Sequence, residues 1–574
     1  MAIREYVGAR YVPRFLGLYD ASQVYEALDV VDNGQGTSYV SKRPTPAGTP
    51  LTNTTYWAIY GASSGAIINL QNQIGDLSSL HTSDKTNLVN AINENTDSIA
   101  TITDAFINVK NYGALGDGLT DDTAAIQSAL DTGKNVLFPD GIYLVSNTLN
   151  YSGRALFGSG TIKSTVALEK VVSCANGNSL NVAGLTIDGN DKSAVMLYIS
   201  NYESVHVHDS IFENSENAAL VNVRGCAGVA VFDTNISEVE HCIIRNINRT
   251  QTSPGTISSV GIESCADLSF IHDNIIANVK CSAQQNDCDA IYVVGKGVGI
   301  LGLGSGAAIV ENNNLSDATG RFIKSQCALT YAINNDMNIT TDFTLTDAFI
   351  CVDIQAGSGV IENNRIDLKN TYNRNYSFIT RLQITGTNLS PTIKVSNNVI
   401  KGIVNASIMV RAIMRVDDVI GGNANIDVNN NVELIEFEDV IDYSSNNVPI
   451  GPVKITNNRL QTIHFASAIG IGNLSGPDFI IENNDCRKTG TKTSFSGYTN
   501  PFTGLIMRNN RDIEPVTNTG LDWNTLTNCD FVHYKGELIA NKPFGGTGYI
   551  HLVKNDHRYS IVYLDATAPQ PVYQ

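Results

Sequence analysis

The chain has 574 residues, more than one compact core organises, so two to four modules are the starting expectation. Hydrophobic residues make up 42% and charged residues only 16%, which excludes general disorder; with 48 glycines and many asparagines, this suits an elongated β-structure with polar turns. The formal net charge of −18 argues against a nucleic-acid partner, since phosphate recognition needs a basic face, and no run of eighteen apolar residues is present to insert into a membrane.

The first fifteen residues, MAIREYVGARYVPRF, contain no apolar signal-peptide core. Ten cysteines are scattered without a CxxC pair, so free and mostly buried thiols are expected, with neither disulfides nor a metal site. Residues 1–65 are rich in aromatics (Tyr11, Phe15, Tyr19, Tyr25, Tyr39, Tyr56, Trp57 and Tyr60) punctuated by Gly, Pro and Thr. They read as a small β module whose rings either form a mini-core, the favoured reading, or dock a sugar or a virion protein.

In 66–104, Ile67, Leu70, Ile74 and Leu77, then Leu88, Ile92, Asn95, Ile99 and Ile102, alternate by threes and fours. These are heptad seams with one Asn in the core. Segments this short are not stable as single helices, so they imply an oligomerising stalk that pairs with copies of itself.

From Phe106 the texture changes. A strand and a Gly turn lead to a helix expected to be capped by Thr120 or Asp121, with Ala125, Ile126, Ala129 and Leu130 on its apolar face. A strand–turn–strand follows. The run NVKNYGALGDGLTDDTAAIQSAL, then VLFPDGIYLV, resembles the opening of the pectate-lyase-like (pectin-lyase fold) β-helix domains of phage tailspikes and polysaccharide depolymerases. The resemblance implies a right-handed, single-stranded parallel β-helix over 105–520, with the helix covering its N-terminal end.

Two internal ladders support that architecture. The pattern apolar-x-x-Asn-Asn-x-apolar places Asn274, Asn313, Asn335, Asn364, Asn398, Asn430, Asn458, Asn484 and Asn510 in phase, 22 to 39 residues apart, with Ser210 and Cys242 at the same phase upstream. One strand–turn signature per 20–50 residues means a solenoid, and stacked Asn amides bond up and down its axis. A second column, Ile262, Ile291, Ile323, Ile350, Ile379 and Ile408, has the same period and is expected to face the interior of about twelve coils. Residues 521–574, with GYIHLVK and YSIVYLD, read as a short antiparallel capping or trimerisation module.

Strand alternation then locates candidate chemistry. If Ile262, Ile291 and Ile323 point inward, Glu263, Tyr292 and Lys324 point outward on three successive coils, with Asp287, Asp289 and Arg321 just before them and Gln326 just after. Glu263 with Asp287 or Asp289 offers the carboxyl pair that glycoside hydrolysis requires, roughly 5–10 Å apart. Lys324, with Tyr292 and Arg321, offers the base and cation of β-elimination; GRFIKSQ resembles the Arg-x-Lys element of pectin-degrading β-helices, with Phe322–Ile323 as the spacer. The alternative for the strip is a solvated cross-strand ion-pair surface. On this alignment the coils beyond carry Cys351, Thr380 and Met409, which are not acid–base groups.

Other candidates are weaker. His206, His208, His241 and His272 fall near one another in repeat phase, Asp188 reads as a turn residue, and the acidic runs at 417–418 and 433–439 read as solvated turns, with a second acidic groove or a calcium site as the alternative.

The resemblance and the stalk together imply a homotrimeric tailspike, assembled in the host cytoplasm and carried on the virion tail. It would attach to a tail or baseplate protein through its N-terminal module. It would bind and depolymerise a bacterial surface polysaccharide without a cofactor, by hydrolysis in preference to elimination. A non-catalytic polysaccharide-binding fibre and a secreted polysaccharide lyase are the alternatives.

Overall fold

The computed structural model describes residues 12–61, 106–216, 225–250, 258–281, 288–297, 305–340, 349–368, 377–383, 391–402, 410–417, 424–433, 437–443, 450–460, 462–468, 479–486, 494–496, 505–508, 542–544, 548–555 and 558–564. The heptad segment 66–104 and the candidate Asp287 lie outside them. Among the described residues, no helix is long and apolar enough to cross a membrane.

The chain divides into two compact units, Met1–Ala105 and Phe106–Gln574. In the first, the strands Arg14–Leu18, Asp29–Asp32, Ser38–Ser41 and Trp57–Ile59 form one sheet, parallel across the first pair and antiparallel thereafter. Tyr25, Val31 and Trp57 are its buried core, with Tyr19, Tyr39 and Tyr56 packed around them, whereas Phe15 and Tyr60 meet each other at the surface. Of the seven described rings in this unit, five belong to this core or pack against it.

The second unit is a parallel β-helix. Strands succeed one another along two long parallel sheets, and the smaller of these stacks 14 strands, about 60 Å of coil at 4.8 Å per strand. Its early coils are built on long strands, such as Val195–His208, Gly225–Glu240 and Ser258–His272. After Ser258–His272 the long strand divides: its first half pairs with Cys288–Val294 and its second half with Ala307–Glu311. From there each coil contributes one strand to each of three faces. Every face turns apolar residues inward, and one continuous core runs from Ile107 to Ile455.

At the start of this unit, the Thr123–Leu130 helix buries Ile126, Ala129 and Leu130. Its cap residue is Asp122, not Thr120 or Asp121, and the Asp122 carboxylate accepts from the Leu115 and Gly116 amides at 2.7 and 3.0 Å. The glycine-rich turn competes for the carboxylate and wins, so the helix starts without a side-chain cap. Near the other end of the sequence, Lys542–Phe544, Gly548–Asn555 and Arg558–Leu564 pair antiparallel.

The asparagine column is the spine of one corner. Asn274, Asn313, Asn335, Asn364, Asn398, Asn431, Asn458 and Asn484 are all buried. Each bonds its neighbour in the same way: Asn364 donates its backbone N–H and its Nδ2 to Asn398 Oδ1 at 2.9 and 3.0 Å, and donates Nδ2 again to the Ala332 carbonyl at 2.8 Å. Cys242 joins the column through its amide, which donates to Asn274 Oδ1. Asn431, and not Asn430, is the rung in DVNNNV. The residue before each rung makes the turn instead, Asp273 at φ 55° before Asn274 and an asparagine before the others. Asn312, Asn334, Asn363, Asn397, Asn430, Asn457 and Asn483 hold φ between 54° and 58°, the left-handed conformation that Asn tolerates. Three asparagines in a row concealed which one did which.

The isoleucine column slips. Ile262, Ile291 and Ile323 are in register, but Ile323 stands beside Val352, and Ile350 stands beside Arg321. Ile379 is in the core one residue before Thr380, which pairs with Val352. Ile408 lies outside the described residues. The cause is a bend that recurs in the strands of this face: Ala290 and Ile291, Phe322 and Ile323, Cys351 and Val352, and Ile413 and Met414 are adjacent pairs that both reach the core. Two neighbours in a straight strand point to opposite faces, so two inward neighbours mark a corner. Gly261 sits at that corner, where an added Cβ would fall 2.4 Å from the Ala290 carbonyl oxygen.

Candidate functional site

The bend sets two outer rows, one on each side of it. The row after the bend runs Tyr198, Ala230, Glu263, Tyr292, Lys324, Asp353, Arg381 and Arg415 through successive strand pairings. The row before it runs Val260, Asp289, Arg321 and Ile350. Glu263, Tyr292 and Lys324 thus align as the alternation requires. The coils beyond, however, present Asp353 and Arg381 in place of Cys351 and Thr380, while Met409 lies outside the described residues. The charged row is longer than the isoleucine spacing indicated.

These groups are buried, not a solvated strip. Asp289 and Asp353 are 0% exposed, and Glu263, Arg321, Lys324 and Gln326 are 6–7% exposed. Buried charge persists only with partners, and the partners are present. Arg321 Nε donates to Asp289 Oδ1 at 2.5 Å and its Nη1 to Asp353 Oδ2 at 2.9 Å. Arg381 grips the same Asp353 through Nε at 2.8 Å and Nη2 at 2.5 Å. Burial pushes the Asp353 carboxyl up, but Arg381, then Arg321 and Lys324, outweigh it and hold the group below the usual carboxylate range.

A second chain of bonds reaches the same carboxylate. Tyr292 donates its hydroxyl to Gln326 Oε1 at 2.8 Å, Gln326 donates to Gln355 at 2.9 Å, and Gln355 donates to Asp353 Oδ2 at 2.9 Å. Lys324 Nζ lies 4.6 Å from the Tyr292 ring centroid, a cation–π contact. The structure therefore joins Asp289, Tyr292, Arg321, Lys324 and Gln326 in one network that also holds Asp353, Gln355 and Arg381, which the isoleucine spacing passed over. Glu263 sits next in the row, between Ala230 and Tyr292. The missed residues had a signal: the triplets AIY, FIK, CVD, ITR and IMR each put two core-facing residues before an outward one.

An apolar patch adjoins the network on the earlier coils. Ala227, Ala230, Phe232, Cys265 and Val294 cluster on the outer side, with Tyr198 and Tyr292 packed against them. Tyr198 and Phe232 lie 5.4 Å apart, and Lys170 Nζ sits 3.6 Å over the Tyr198 ring. The result is a run of aromatic faces that passes directly into fixed donors and acceptors.

The eight described cysteines outside Cys486 are free and buried, and burial pushes the Cys226, Cys242, Cys288 and Cys327 thiols up to about 12. Seven of them are inert core residues, and Cys265 belongs to the outer apolar patch. Asp188 is held by Lys163 at 2.7 Å and by the Asn190 amide at 2.7 Å, a turn anchor. The four histidines do converge beside Glu238 and Glu240: His206, His208 and His272 near the ends of the long strands, and His241 in the bend just after Glu240.

Parts of the chain are similar to known proteins. Over 183 residues it is 26% identical to the preneck appendage protein of Bacillus phage PZA, covering 29% of this chain and 21% of that protein. Over 89 residues it is 44% identical to mannuronan C5-epimerase AlgE3 of Azotobacter vinelandii, covering 14% of this chain and 5% of that enzyme. The chain thus spans about a fifth or less of these relatives. Among solved structures, the Dettilon tailspike protein aligns at 15% identity and a TM-score of 0.35, covering 63% of this chain and 73% of that one. Residues 106–323 match the family described as rhamnogalacturonase A/epimerase, pectate lyase-like. The match spans the coils from Phe106 to Ile323, a little under two fifths of the chain, and what it shows is a likeness to that family over those coils.

Proposed function

We propose that this protein is a phage tail-associated, tailspike-type protein that binds a bacterial surface polysaccharide along the Tyr198–Arg381 row and depolymerises it there. The observation that carries the reading is the buried polar network on the outer side of the helix, fixed in geometry and flanked by Tyr198, Phe232 and Tyr292. Sugar rings present C–H faces to aromatics and hydroxyls to rigid donors and acceptors, so a polysaccharide is the ligand such a surface fits. The pectate-lyase-like match and the phage appendage relatives support the same class.

Hydrolysis is the reading we favour. Glu263, with Ala230 and Tyr292 as its row neighbours, is assigned proton donation to the leaving sugar oxygen. Asp287 or Asp289 is the second carboxyl across the adjacent coil, Asp289 being paired with Arg321. Tyr292, Arg321 and Gln326 position the substrate. Elimination on a uronic-acid polymer is the second reading, favoured by Lys324 over the Tyr292 ring with two arginines near: the arginines would neutralise the sugar carboxylate and Lys324 would take the neighbouring proton. The N-terminal module would dock on a tail or baseplate protein, and residues 66–104 would join three copies.

The test is to incubate the protein with host capsular or wall polysaccharide and size the products. Shortened chains with new reducing ends support hydrolysis; unsaturated ends that absorb in the ultraviolet support elimination. Saturable binding without shortening would leave an adhesive fibre. Neither binding nor shortening across a panel of such polymers would overturn the proposal.

A further inference from the structure

Away from the proposed sugar site, on the second halves of three stacked long strands, His206, Glu238, Glu240 and His272 crowd together. His206 pairs in register with Glu238, and Glu240 stands between His208 and His272. His206 Nε2 lies 2.8 Å from Glu240 Oε1 and 3.9 Å from Glu238 Oε2, and His272 Nε2 lies 3.3 Å from Glu238 Oε1. One ligand atom from each of His206, Glu238 and Glu240 falls within 4.8 Å of the others. All four side chains are partly exposed, which leaves a path for an ion.

From these contacts we propose that His206, Glu238 and Glu240 bind one divalent transition-metal ion of the zinc type, with His272 turning in from the next coil as the fourth ligand. Two imidazoles and two carboxylates suit zinc, cobalt or nickel; calcium takes six to eight oxygens and has no use for imidazole. Bonds of about 2.0–2.1 Å in a tetrahedron put ligand atoms roughly 3.4 Å apart, and the separations of His206 Nε2 from the two carboxylates, 2.8 and 3.9 Å, bracket that value. The surroundings are also those of a metal-binding histidine. His272 Nδ1 lies 2.9 Å from Asp273 Oδ2, which fixes the ring and leaves Nε2 facing Glu238. His208 is excluded, because Asp209 at 2.8 Å and Asn181 at 3.2 Å take its two nitrogens. Glu238 and Glu240 share one face of one strand, and a doubly charged ion offsets their mutual repulsion.

The experiment is titration of the untagged, chelator-treated full-length protein with Zn2+ by calorimetry and with Co2+ by visible absorption. The expected result is one ion per chain, with d–d bands of nitrogen and oxygen ligation and a raised thermal midpoint. His206→Ala and Glu240→Gln should each weaken binding more than roughly 100-fold, and Asp273→Asn by roughly tenfold. Should His206→Ala fold poorly, the near-isosteric Glu240→Gln decides. No saturable binding, or undiminished binding in a folded Glu240→Gln protein, would overturn the site, and both readouts are independent of any polysaccharide cleavage.

Discussion

Asp353 carries more of the outer face than any other single side chain: two arginines and a glutamine end on its carboxylate. Breaking a buried charge cluster by removing one member costs about 3–5 kcal/mol, because the remaining charges stay buried without compensation. Asp353→Asn should therefore lower the thermal midpoint markedly at neutral pH. The depressed carboxyl also fixes the sign of a pH effect. Its stabilisation is complete above the unfolded carboxyl value of about 3.9 and is lost as pH falls through the lower folded value. The wild-type midpoint should thus fall more steeply than that of Asp353→Asn below about pH 4, measurable by calorimetry at stepped pH; parallel slopes would exclude this group as the source. Glu263 makes the opposite prediction. Glu263→Gln keeps shape and polarity, so it should leave the midpoint within a few degrees while cutting polysaccharide cleavage by about 10²–10⁴-fold. Retained cleavage would remove Glu263 from the chemistry.

For elements, the asparagine corner shows how a repeat is locked. Each rung satisfies a backbone N–H in a place water does not reach, so its truncation orphans buried groups at about 1–3 kcal/mol each. Asn364→Ala should unfold at clearly lower denaturant concentration than the wild type. Asn363→Gly, one residue earlier and needing only a positive φ of 57°, should be nearly neutral. Equal effects from the two would contradict the division of labour. This corner was legible in the sequence because each apolar-x-x-Asn-Asn signature is local. The bend was not: Ile350 and Ile379 match Ile323 in spacing, yet the register is set by which two adjacent residues enter the core. Reading CVD and ITR beside FIK recovers Asp353 and Arg381. Tracking isoleucine alone shifts the outward row and hides them. Asn431 was missed for a related reason, since a run of three identical residues carries no phase.

At the scale of the molecule, the β-helix followed from period and opening motif together, whereas the chemistry did not. Contacts such as Arg321 to Asp353 join residues 32 apart whose pairing depends on every turn between them. The heptads of 66–104 predict self-association, and sedimentation equilibrium should return about three times 61.8 kDa. A monomer mass at micromolar concentration would remove the trimer. The ladder carries one more consequence. Consecutive rungs are 39, 22, 29, 34, 33, 27 and 26 residues apart, yet the bonds between them hold at 2.8–3.1 Å. The spine is indifferent to how much chain loops out between its vertebrae. Insertions and deletions at the rims can therefore accumulate without retuning the interior, so a lineage built on this scaffold can revise what it touches while inheriting unchanged what holds it up.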